Sequence, residues 1–93
     1  MGLTMHKLTD LMLQLKLLAI HQDQGNNLVL AERAVRDFMV SVPPNQKDQL
    51  RTFESIDTEI AGLVQRDPRT AKLLEIVREY LRSQIGRLQA AED

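Results

Sequence analysis

VPPNQKDQLRTFESIDTEIAGLVQRDP, Val42 to Pro68, reads as one helix held between two stops. Pro43 and Pro44 remove two backbone donors and forbid a helix from running through them, while Pro44 suits the opening of the next one. At the far end, Asp67 can accept hydrogen bonds from the first free amides of a following helix, whose first position suits Pro68. Between the stops, Leu50, Phe53, Ile56, Ile60 and Leu63 recur at spacings of three, three, four and three, with Val64 adjacent. That is the rhythm of a coiled-coil face, and it predicts a helix over about 45–65.

The same periodicity extends in both directions. Downstream, Leu74, Val77, Leu81, Gln84 or Ile85, and Leu88 mark a helix over about 68–90; Gly86 weakens its last turn and Ala90 to Asp93 fray. Upstream, Leu28, Ala31, Val35, Phe38 or Met39, and Val42 mark a helix over about 28–41, with Glu32, Arg33, Arg36 and Asp37 on its other side. The first helix is expected over about 4–23. Leu8, Leu11, Leu15 and Leu18 line one of its faces, with Met12 beside them, and Leu13, Leu17 and Ile20 lie on others. A helix apolar over so much of its circumference must be covered from more than one side, by a second copy or by a target.

Gly25-Asn26-Asn27 separates the first two segments. Gly and Asn tolerate the left-handed conformation that ends helices, and Asn27 can cap the next one. The alternative is one long helix through Gly25, which costs only about 1 kcal/mol in a helix interior. The expected fold is all-α: antiparallel helical hairpins forming a small bundle of three to four helices, one domain over residues 1–93, completed by dimerisation.

Composition points the same way. The chain has 93 residues, 43% of them hydrophobic, and only Phe38, Phe53 and Tyr80 are aromatic. A thin core of Leu, Ile, Val and Met suits helix-on-helix packing, and a short chain gains from burying surface against a second copy. Twelve basic and thirteen acidic residues leave a net charge of −1, without the cationic surplus of a general polyanion binder. There is no Cys, hence no disulfide framework and no thiolate metal site, and a cytoplasmic protein is expected. Leu11 to Ile20, LMLQLKLLAI, is the one stretch with a membrane-like composition. At a rise of ~1.5 Å per residue its length of about 15 Å covers half a bilayer core. Gln14 and Lys16 interrupt it and no small-residue cleavage site follows, so it reads as a buried helix without membrane contact. Met5 is a possible natural start.

Residues that carry chemistry are sparse. His6 and His21 stand about 22 Å apart along one helix and cannot share a metal within it; they read as solvent-exposed, or as ligands to a metal shared across a dimer. Ser41, Ser55 and Ser83 lack the strand–turn–helix setting of a nucleophile. Glu54, Asp57 and Glu59 form a charged face, not a carboxylate pair in an apolar cleft. Gly2, Gly25, Gly62 and Gly86 are scattered and build no phosphate loop. No catalytic, cofactor-binding or metal site is assigned, and a non-enzymatic protein is expected.

Charge is distributed unevenly. From Asn45 to Gly62, Lys47 and Arg51 face Asp48, Glu54, Asp57 and Glu59, a balance of −2. From Arg66 to Leu88, Arg66, Arg69, Lys72, Arg78, Arg82 and Arg87 face Asp67, Glu75 and Glu79, a balance of +3. Either these helices pair and set each other's register, or Arg69, Lys72, Arg78 and Arg82 contact an acidic partner or nucleic acid.

The chain also resembles a known family in the order of its segments. MHKLTDLMLQL at Met5 to Leu15 and LAERAVRDFM at Leu30 to Met39 precede a polar turn into NQKDQL at Asn45 to Leu50, and LLEIVREYL at Leu73 to Leu81 follows. This order resembles the small enterobacterial anti-adaptor proteins that protect the stationary-phase sigma factor from proteolysis; it departs from them at Pro43-Pro44 and Asp67-Pro68. The resemblance implies a bacterial stress-response regulator that binds a response-regulator adaptor by helix packing. LLEIVREYL is also similar to the last helix of small two-component connector and biofilm regulators, which are helical-hairpin dimers.

Taken together, these features predict a homodimeric helical regulator that binds a protein partner through apolar helix faces, with Leu11, Leu15 and Leu18 as its association residues or, alternatively, as ordinary core. Two other readings stay open. One is a small dimeric nucleic-acid-binding protein using the basic last helix; the other is a structural component of a secretion or phage assembly.

Overall fold

Asn45 starts the central helix by local chemistry. Its side-chain oxygen accepts the Asp48 backbone amide at 2.8 Å, and its side-chain nitrogen donates to the Asp48 carboxylate at 2.8 Å. One free amide of the first turn is thereby satisfied, and the two side chains hold each other in place. The helix that follows, α3, runs Gln46–Arg66, so Pro44 lies just outside it. At its far end Asp67 acts as expected, its carboxylate accepting the Arg69 amide at 3.2 Å. Pro68 then opens a single 3-10 turn, Pro68–Thr70, which leads directly into α4, Ala71–Ala91. Thr70 is fully buried, and its hydroxyl donates to the Asp67 carbonyl at 2.7 Å.

A computed structural model describes residues 2–21 and 24–91, with side chains for 7–21 and 26–91. Upstream of α3 it holds α1, Gly2–Ile20, and α2, Gln24–Met39, and no strand occurs among the described residues. The all-α expectation therefore holds, with four α-helices among the described residues. The α1–α2 boundary is displaced from the one predicted. The chain bends at His21, residues 22 and 23 lie outside the described residues, and Gly25 and Asn27 belong to the first turn of α2. Asn27 is not a cap. It is buried, and its side-chain amide donates to the Leu18 carbonyl at 2.9 Å. That carbonyl is among the last four of α1, which have no acceptor role left within their own helix. Asn27 therefore ties the start of α2 to the end of α1, and one long helix through Gly25 is ruled out.

Two hairpins result, α1 with α2 and α3 with α4, and they pack on each other chiefly through α2 against α4 and through α1 against α3, α4 and the 3-10 turn. Gln46 at the start of α3 donates to the Leu88 carbonyl near the end of α4, which fixes the antiparallel register of the second hairpin. All four helices contribute to one core. Its fully enclosed members are Leu15, Ala31, Val35, Ile56, Ile60, Leu74, Val77 and Leu81, joined on α1 and α2 by Ala19 and Ala34. The radius of gyration, 13.0 Å, is close to the ~12 Å expected of a folded chain of this length, as a shared core requires.

Candidate protein-binding faces

The leucine stripe named from the sequence divides in the structure. Leu11 and Leu15 are 3% and 0% exposed, and Leu18 is half-buried against the same core. Leu11 and Leu15 occupy the position of ordinary core, the second of the two readings, and Leu18 packs against that core while staying part-exposed. The open apolar surface of α1 lies about half a turn round the helix. Leu13 and Leu17 are 56% and 52% exposed, and Ile20 is exposed beside them, at i, i+4 and i+7. Val29 and Leu30 of α2 are exposed as well. The sequence carried this signal in the width of the apolar surface of α1.

The α1–α2 seam is a shallow trough. A depression of about 300 Å³ touches Lys7, Asp10, Gln14, Ala34, Asp37 and Phe38. It continues, through Gln14, Ala34 and Asp37, into one of about 310 Å³ that adds Leu18, Leu30 and Arg33. Both are open and neither converges charged groups on a point.

The cations expected to contact an acidic partner or nucleic acid also divide. Arg69 forks onto Asp67, with Nε to Oδ1 at 2.8 Å and Nη2 to Oδ2 at 2.7 Å. Hydrogen bonding from Arg69 holds the Asp67 carboxyl at about 2, below its ordinary 3.8, with burial opposing and the charges of Arg69 and Lys16 assisting. The carboxylate in turn raises Arg69 above its ordinary value. Arg78 is occupied across the hairpin: Nε donates to Asp57 at 2.8 Å and Nη1 to Glu75 at 3.3 Å, and the hydrogen bond to Asp57 is the main cause of its raised pKa. Lys72 and Arg82 are exposed. The acidic helix and the basic helix thus pair within one chain, the first of the two readings of the charge distribution.

Nothing among the described residues groups three or more His, Cys, Asp or Glu at metal-binding positions. His21 is exposed, while the side chain of His6 lies outside the described residues. Ser41 is exposed and its hydroxyl donates to the Phe38 carbonyl at 2.9 Å, and Ser55 and Ser83 are exposed too. No buried side-chain polar atom among the described residues lacks a hydrogen-bond partner. No described helix is long and apolar enough to cross a membrane.

No protein-family model matches this chain, and no curated protein and no solved structure matches it significantly.

Proposed function

We propose that this protein is a non-enzymatic, cytoplasmic regulator that acts as a homodimer and binds a protein partner through the outward face of α1. One observation carries the reading: Leu13, Leu17 and Ile20 form a solvent-exposed apolar stripe on a helix whose opposite face is already buried in the core. Contiguous exposed apolar residues at helical spacing favour a helix or groove on another protein, which removes them from water at ~25 cal/mol per Å². The resemblance to anti-adaptor proteins makes a response-regulator adaptor the first candidate partner. The nucleic-acid alternative is supported less, because Arg69 and Arg78 already spend their charge on Asp67, Asp57 and Glu75.

A tagged pull-down from bacterial lysate tests this reading when three forms are compared. Wild type and Ile76→Asp, which alters an exposed apolar residue on α4, should recover the same protein in stoichiometric amount. Leu17→Asp should lose it while keeping its helical circular dichroism. Equal recovery by all three forms removes the α1 face from the account.

A further inference from the structure

Leu30, Arg33, Asp37 and Val40 stand at spacings of three, four and three, and all four are exposed. Val40 follows the last residue of α2, but its amide still donates to the Arg36 carbonyl at 3.2 Å, so the stripe keeps helical geometry to its end. Leu30 is 46% exposed and Val40 83% exposed, apolar residues at the two ends of a seam whose middle is charged. Arg33 and Asp37, one turn apart, form no ion pair with each other or with any other described residue.

From this arrangement we infer that the α2 stripe is the seam of an antiparallel homodimer, with its two-fold axis passing between Arg33 and Asp37 at the level of residue 35. The inference rests on the dimer half of the proposed function and not on the α1 face. The pattern is symmetric on reversal. In an antiparallel helix pair each layer joins one heptad core position to the other kind in the partner, and a two-fold axis makes every such contact occur twice. With the axis at residue 35, Leu30 meets the partner's Val40 and Arg33 meets the partner's Asp37. Two apolar layers then enclose two ion-paired layers, and every charge on the seam has a counter-charge. Parallel pairing would instead stack Arg33 on the partner's Arg33 and Asp37 on the partner's Asp37, so the same residues select against it. An unrelated helix has no reason to match a pattern that is its own complement on reversal.

The seam spans ~15 Å along the helix and lies beside the α1–α2 trough. A seam this short makes a small interface, so association is followed across concentration, from ~1 to ~500 μM. Sedimentation velocity on the full chain should show the mass rising from 10.6 kDa towards twice that value. Arg33→Asp and Asp37→Arg should each stay monomeric over this range, since each places like charges in the inner layers. Mixed in equal amounts they should form a heterodimer, because one copy then presents two carboxylates and the other two guanidinium groups. The rescue on mixing also shows that both variants are folded. A wild type that is monomeric throughout overturns the seam and the dimer together. Dimerisation that neither substitution weakens, or variants that fail to associate when mixed, overturns the seam and leaves the dimer reading standing on another face.

Discussion

Arg78 of α4 donates from Nε to Oδ1 of Asp57 on α3 at 2.8 Å, and both side chains are about four-fifths covered. One part-buried ion pair therefore joins the acidic and basic helices across their hairpin. Charge-assisted hydrogen bonds of this kind exceed surface pairs in strength because competing water is partly excluded. A double-mutant cycle of Asp57→Ala with Arg78→Ala should give a coupling of about 1 kcal/mol in urea denaturation. The same cycle with Arg82→Ala, on an exposed position of α4, should give a coupling near zero.

Asp67 contributes a pH-dependent part of stability at the acid end. Its carboxyl is held at about 2 in the folded chain against 3.8 ordinarily. The depressed value means its contribution is complete above the unfolded pKa and is lost as pH falls from about 4 towards 2. Asp67→Asn keeps an acceptor at the start of the 3-10 turn but cannot titrate. The stability difference between wild type and this variant, followed by urea midpoints, should shrink over that pH window and stay constant above it.

Asn27 should be sensitive for a reason unrelated to capping. Asn27→Ala leaves the Leu18 carbonyl without its donor in a buried site, at a cost of about 1–3 kcal/mol. Asn27→Asp should be worse, since a carboxylate cannot donate and adds a buried charge. Thermal melting of the three proteins ranks them.

The two faces of α1 should respond oppositely to charge. Leu15→Asp introduces a carboxylate at a fully enclosed position and should abolish folding, while Leu13→Asp should leave the melting temperature nearly unchanged. Similar losses from both would show that the outward face is also core.

Gly86 sits inside α4, and a Cβ there would meet nothing within 4 Å. Gly86→Ala should therefore stabilise the protein by about 0.5–1 kcal/mol, through helix propensity and a less flexible unfolded chain. A chemical-denaturation midpoint measures it.

These particulars show which parts of the molecule were readable from residues alone. Pro43-Pro44 and Asp67-Pro68 stop helices by covalent geometry, which no tertiary contact alters, and both turns lie where predicted. The stripe through Phe53, Ile56, Ile60 and Leu63 is buried for a similar reason, since a helix with one apolar face has one way to be covered. The Asn27 tie was not readable, because its acceptor is a carbonyl nine residues away that only the folded hairpin brings near. For the same reason α1, apolar on two sides, did not reveal which side the core would take. The pairing of Arg78 with Asp57 was legible as a charge balance between helices, although the partner atoms were not.

Docking of a protein on the outward face of α1, as proposed, can be tested directly because the chain contains no cysteine. A single thiol placed by Leu17→Cys can carry a photo-crosslinker without a competing site, and Ile76→Cys provides the control on α4. Illumination in bacterial lysate should join the position-17 probe to one protein and leave the position-76 probe without that adduct. An adduct from position 76 alone, or no protein adduct from position 17, would contradict the account.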